Sequence, residues 1–211
     1  AWHVVAVGKD GEKVTCEKKF TFKKEGILMT RWGEQVTPEN THREYPRPQM
    51  VRKRWENLNG LWDYALRPLD QTEAPDSFDG KILVPFPLEA GLSGVMTTLG
   101  YTNNIWYKRT FEMPKKWKKD RILLNFEAVD WRTTVWVNGK QVGTHEGGYD
   151  PFSFDITDAL KRRGPQDLVV MVLDPTRSGT QPFGKQVSRE WAIKIHSLFT
   201  ATSGIWLTVW L

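Results

Sequence analysis

Acidic side chains stand in close pairs along this chain: Glu127 with Asp130, Glu146 with Asp150, and Asp155 with Asp158. Two carboxyl groups at the right separation can break a glycosidic bond, one protonating the leaving oxygen while the other attacks or activates water. With 25 acidic residues in the chain such pairs arise by chance, and a structural role is the expectation for each. Asp155 and Asp158 are better explained by the start of a short helical turn. His3, His42, His145 and His196 lie far apart and match no metal-ligand spacing. There is no Gly-x-Ser-x-Gly elbow and no Gly-rich phosphate loop, and Gly147-Gly148 is expected in a turn between strands. No catalytic residue, cofactor or metal is therefore expected. What remains is a pair of amides. Asn103 and Asn104 stand together in "YTNNIWYKRTFEMP" (101–114), at the mouth of a run with two unlike faces. One face alternates Ile, Tyr, Arg, Phe and Met; the other has Trp, Lys, Thr and Glu. Asn tolerates turn conformations, which is one reading; an amide reaching toward a ligand is the other.

The elements that must hold these residues are strands. Residues 1–26 read as an N-terminal hairpin, "WHVVAV" and "EKVTCEKKFTF" about a "GKDG" turn, or as the tail of a preceding segment. Residues 27–56 have three prolines and no steady period, and read as an extended connector. From 57 to 211 short apolar runs recur between Gly, Pro, Asn and Asp: 60–66, 81–84, 105–113, 121–128, 133–137, 140–144, 152–155, 168–173 and 205–211. Asn138-Gly139 between two of these runs is a strong hairpin signal, because a type I′ turn needs positive φ at both central residues. The class is all-β, a sandwich or jelly roll. Within it, Asp130–Thr157 is expected at the sandwich centre, with Trp136 or Val135 and Val137 buried on alternating faces, and Trp206 and Trp210 mostly buried. The long stretch between Asp174 and Gly204 breaks the rhythm, and Trp191 and Phe199 are its expected anchors.

Composition sets the bounds. The 211 residues, 39% apolar and 26% charged, describe an ordinary soluble globular protein able to bury a real core. Lysines gather at 17–24 and 115–119, but they are not interleaved with a nucleic-acid-binding fold, and no nucleic-acid partner is expected. No apolar run reaches the ~20 residues of a membrane span, so no membrane partner is expected. The single Cys16 allows no disulfide within the chain and leaves the compartment open. Tryptophan is abundant, 11 residues, which suits both aromatic sandwich cores and surfaces that stack on sugars. The chain begins at Ala1 without an initiator Met, as a processed or excised product would.

Several longer motifs then carry a resemblance. "EYPRPQMVRKRWENLNGLWDYAL" (44–66), "KILVPFPLEAGLSGV" (81–95), "WYKRTFEMP" (106–114), "DWRTTVWVNGKQVGTHEGGYDPFSFDIT" (130–157), "DPTRSGTQPFGKQ" (174–186) and "SGIWLTVWL" (203–211) resemble the N-terminal sugar-binding domain of glycoside hydrolase family 2. That family includes β-galactosidases, β-glucuronidases and β-mannosidases. The resemblance implies a jelly-roll β-sandwich of the galactose-binding type, followed in such enzymes by an immunoglobulin-like domain and a barrel that carries the catalytic glutamates. It implies that this chain is a non-catalytic carbohydrate-binding part whose partners are a β-glycoside and those two domains. It also implies substrate contacts for Asn103, or its neighbour Asn104, and for Asp174, since an amide and a carboxylate can each bond two sugar hydroxyls. Relatives usually have Trp-Tyr-Thr-Pro where this chain has Leu198-Phe199-Thr200-Ala201, and commonly Gln where it has Leu207. A second reading stays open: a glycosidase-derived structural or protein-interaction domain with no sugar role.

Overall fold

The cleanest alternation in the chain lies in the middle of the larger sheet. In the computed structural model, Gln166–Leu173 is a strand whose residues are buried and half-buried in strict turn, with Leu168, Val170 and Val172 facing inward. A period of two places such side chains on one face of a pleated strand. The structure describes residues 2–7, 13–18, 27–117, 120–176, 178–182, 186 and 199–211, the first two segments by their backbone alone.

In chain order the strands are β1 (Trp2–Val7), β2 (Lys13–Lys18), β3 (Gly60–Pro68), β4 (Gly80–Val84), β5 (Asn103–Phe111), β6 (Leu123–Phe126), β7 (Val129–Asp130), β8 (Arg132–Val137), β9 (Lys140–Glu146), β10 (Phe152–Asp155), β11 (Gln166–Leu173), β12 (Gly204–Ile205) and β13 (Val209–Trp210). A six-stranded antiparallel sheet has the order β4-β3-β5-β11-β8-β9. The second sheet is β10-β6-β13, and the short β12–β7 ladder continues it. Where the ladders join, the N–H groups of Trp206 and Leu207 both point to the carbonyl of Ala128, at 3.3 and 3.4 Å. This is a bulge, with extra residues on one strand facing one on the other. It splits the run expected at 205–211 in two. Beyond β13 the end of the connector pairs as well: Glu56 and Leu211 exchange bonds of 3.0 and 2.8 Å, and Leu58 N–H donates to Val209 O at 2.9 Å.

Between the sheets lies one apolar core. Trp62, Ile82, Ile105, Tyr107, Val135, Val170 and Val172 meet Leu124, Phe126, Ile156, Ile205 and Val209 there. The fold is thus the all-β jelly-roll sandwich expected, and the described residues contain no α-helix. β1 and β2 pair antiparallel, while the turn between them lies outside the described residues. Asn138 and Gly139 both have positive φ, +52° and +80°, as a type I′ hairpin demands.

Two packing expectations need correction. The Asp130–Thr157 region is at the border, not the centre: β9 ends the larger sheet and β10 ends the smaller one. The half-exposed, polar β9 could not be sandwiched between strands, so β5 and β11 take the middle. Val135 and Val137 do enter the core, but Trp136 stacks on Trp106 across the outer face, ring centroids 5.5 Å apart, and stays half-buried. Trp210 is buried; Trp206 is half-buried.

The largest aromatic inside is Trp62, 1% exposed, its indole N–H donating to Leu58 O at 2.8 Å and its ring edge-on to Tyr107. Trp62→Ala is expected to cost about 3–5 kcal/mol in urea unfolding, and Trp136→Ala clearly less. Equal losses would contradict this assignment of faces.

Candidate functional site

Strand register gathers one set of polar residues at one end of the larger sheet. Asn104 on β5 sits opposite Leu173 on β11, and Arg132 at the start of β8 sits opposite the same residue. Asn103, Asp174 and Asp130 are therefore neighbours of that meeting point. Asp174 is 3% exposed. Its Oδ1 accepts from the Thr176 N–H and its Oδ2 from the Ser203 hydroxyl, both at 2.7 Å. Ser203 also donates its N–H to Glu89 Oε2 at 2.9 Å, and its carbonyl accepts from Leu88 N–H at 3.2 Å. One serine thus ties the loop after β4 to the loop after β11.

The next residues explain why "SGI" is built as it is. Gly204 has φ +88°, and a Cβ there would collide with the Tyr107 hydroxyl, so conformation and space both require glycine. That hydroxyl accepts from the Ile205 N–H at 3.3 Å. On the other flank, Gln186 bridges Thr202 and Asp130, accepting from Thr202 N–H at 2.6 Å and donating to Asp130 Oδ2 at 3.4 Å. Gly148 passes so close to the Asp130 carboxyl that a Cβ would stand 2.7 Å from Oδ1, and its carbonyl accepts the Trp206 indole N–H at 2.8 Å.

Glu89 and Asp130 both feel the charge of Asp174 in this buried place. Burial lifts Glu89 to about 7, against the hydrogen bonds of Ser203 and with a further push from Asp174. Burial first and Asp174 second lift Asp130 to about 7. Asp174 is itself raised by burial, opposed by Ser203 and Thr176. Each removal from water and each like charge disfavours ionisation. Burial likewise pushes the Tyr107 phenol up, which keeps it protonated. Near neutral pH the site thus offers carboxyl groups that both donate and accept. Glu89 Oε1 is buried with no hydrogen-bond partner among the described residues.

Of the residues expected to touch a sugar, Asn103 and Asp174 share a face and Asn104 does not. Asn103 follows the inward parity of Ile105 and Tyr107, while Asn104 follows Trp106 outward. The Asn103 amide donates to Leu99 O at 3.3 Å and Thr102 Oγ1 at 3.2 Å; that of Asn104, 3% exposed, donates to Leu69 O at 3.4 Å. Glu89, Tyr107, Gln186 and Ser203 were not singled out from sequence, for they come together only through pairings such as Glu89 with Ser203, 114 residues apart. Of the acidic pairs, Glu127 accepts from the Trp210 indole at 2.8 Å and pairs with Arg47, Glu146 accepts from Arg132, and Asp155 accepts from Thr157 and Arg121, while Asp130 stands apart from Glu127 in the polar cluster. Trp191 and His196 lie outside the described residues, as does the side chain of His3, and Phe199 is exposed. No group of His, Cys, Asp and Glu among the described residues is arranged to hold a metal. No described helix is long and apolar enough to cross a membrane.

The raised carboxyls have a signed consequence. A carboxyl whose pKa is higher folded than unfolded binds more protons in the native state, so its contribution to stability falls as pH rises from its unfolded value, near 4, to its folded value of about 7 for Asp130. Asp130→Asn removes that titration. Relative to the wild type, this variant is expected to gain at least about 1 kcal/mol in urea unfolding between pH 4.5 and pH 7.5, a tenfold change in proton affinity being worth about 1.4 kcal/mol. A pH-independent difference would contradict the buried, charge-coupled placement of Asp130.

Residues 82–181 match the family model of the glycosyl hydrolases family 2 sugar binding domain. A β-glucuronidase of Paenibacillus borealis is 29% identical over 147 residues, covering 67% of this chain and 24% of that protein. A β-galactosidase of Thermoanaerobacter pseudethanolicus is 33% identical over 106 residues, covering 50% of this chain and 13% of that protein. The chain thus spans no more than a quarter of the length of these relatives. In fold it is similar to the β-glucuronidase of Ruminococcus gnavus solved in complex with D-glucuronic acid, with a TM-score of 0.56 at 22% identity, over 79% of this chain and 30% of that one. The resemblance carried by its motifs is thus met, over residues 82–181, by a match to the sugar-binding domain of the family 2 glycosyl hydrolases.

Proposed function

We propose that this chain is the non-catalytic, carbohydrate-binding and scaffolding part of a family 2 glycoside hydrolase. Its partners are then a β-glycoside and the immunoglobulin-like and barrel domains of the same protein, and hydrolysis of the glycosidic bond takes place in the barrel. Residues 57–211 are the sugar-binding sandwich, 27–56 its connector, and 1–26 a separate hairpin. Asn103 and Asp174 are the contacts for the sugar, with Asn104 holding the turn behind them. The observation that supports this reading most is the polar cluster at one end of the sandwich. Its carboxyl groups, Glu89, Asp130 and Asp174, lie inside a match to a sugar-binding family, and Asp174 is held there in one orientation by Ser203 and Thr176.

One observation favours the second reading, a structural or protein-interaction domain with no sugar role. Both amides already donate to Leu99, Thr102 and Leu69, and both Asp174 oxygens already accept from protein donors.

Calorimetric titration with galactose, glucuronic acid, mannose and short oligosaccharides separates the two. The proposal expects saturable binding that is lost on Asp174→Ala and weakened about tenfold on Asn103→Ala. It also expects no release of nitrophenol from nitrophenyl glycosides by this chain. Absence of heat from every sugar would favour the structural reading, and measurable hydrolysis would overturn the non-catalytic one.

A further inference from the structure

The opposite end of the sandwich is open and basic. There β5 ends and β6 and β11 begin, and the connector before β3 lies against β13. Between the connector and the loop leading into β6 runs a cleft of about 710 Å3. Five cations line it, Arg47, Arg52, Lys53, Arg54 and Arg121, against one carboxylate, Asp120. Three of the five are occupied: Arg54 pairs with Asp120 at 2.7 Å, Arg121 with Asp155 at 2.6 Å and Arg47 with Glu127 at 3.2 Å. Arg52 and Lys53 are exposed and have no ion-pair partner among the described residues.

The floor is aromatic. Tyr45 packs edge-on against Trp210, ring centroids 5.3 Å apart, and Arg47 lies over Trp210 at 5.4 Å. Half-buried Trp117 forms a wall, and beyond it a second groove of about 1130 Å3 carries Lys115, Lys161, Arg162 and Arg163. That groove also carries Glu112, Asp120 and Asp158, so Trp117 stands between a basic cleft and a groove of mixed charge.

We propose that the first cleft binds an acidic oligosaccharide, with carboxylate or sulfate groups held by Arg52 and Lys53 and a sugar face laid against Trp117. The volume falls in the range of small-ligand sites, about 300–1,000 Å3. Arginine forks match carboxylate and sulfate oxygens, which a neutral sugar does not offer. A single-stranded nucleic acid fits less well, since it asks for a series of open rings on which successive bases stack. Here Tyr45 and Trp210 are turned into each other and Trp117 alone forms a wall. The site is separate from the Asp174 end and does not depend on the reading given to it.

The test is calorimetric titration of this chain at low salt with four ligands: a tetrasaccharide of galacturonic acid, a sulfated tetrasaccharide, a neutral glucose tetrasaccharide and an oligothymidylate. Saturable binding is expected for one or both acidic sugars, the stronger naming the anion, with none for the neutral one. Excess galactose should leave that binding unchanged. The double variant Arg52→Ala/Lys53→Ala should weaken it about tenfold, and Trp117→Ala should weaken it as well. Both substituted cations are exposed, so circular dichroism of the double variant should be that of the wild type. Equal binding of the neutral sugar, tighter binding of the oligothymidylate, no binding of either acidic sugar, or an unaffected double variant would each overturn the proposal.

Discussion

The Ser203 side chain and backbone hold two buried carboxylates, and much of the sandwich end depends on them. Its hydroxyl fixes Asp174, its N–H fixes Glu89, and the following glycine and isoleucine fit around the Tyr107 hydroxyl. A charge removed from water is costly unless hydrogen bonds meet it, and here they are met unequally. Asp174 has a donor on each oxygen, whereas Glu89 has one oxygen bonded and one bare among the described residues. Burial outweighs the hydrogen bonds at both carboxyls and lifts them, Glu89 to about 7. A pair of loops that would otherwise close independently, after β4 and after β11, is thereby clamped to β12.

That clamp divides the molecule into unlike ends. At one, glycines admit backbone to within contact of Asp130 and Tyr107, and the polar groups are buried. At the other, the connector leaves a cleft with cations on its rim. The β-sandwich between them is held by ordinary apolar packing. Such a division suits a domain whose binding groups sit on loops and strand ends while the scaffold stays fixed.

How much of this was legible in the sequence followed from range of interaction. β10 was read with the bounds the structure gives it, and the β8–β9 hairpin announced itself through Asn138-Gly139, because both rest on neighbours in the chain. The two faces of β5 were also readable from period two, including the inward set Ile105, Tyr107 and Phe111. Trp136 was not, since a lone indole gives no sign of which face has a partner to stack on, and its partner Trp106 belongs to another strand. The bulge at 206–208 was hidden because its cause is one carbonyl, Ala128, on the facing strand. Asp174 and Asn103 were put forward through resemblance, while Ser203, Glu89 and Asp130 come together only by long-range pairing.

Centrally, Ser203 stabilises two carboxylates in a buried site where burial dominates. Carbon-13 NMR titration of the side-chain carboxyls, in the wild type and in Ser203→Ala, measures this most directly. We expect Glu89 and Asp130 to titrate near pH 7, and loss of the Ser203 hydroxyl to raise Asp174 further. Carboxyls that all titrate near pH 4, or an Asp174 indifferent to Ser203→Ala, would contradict that role for Ser203.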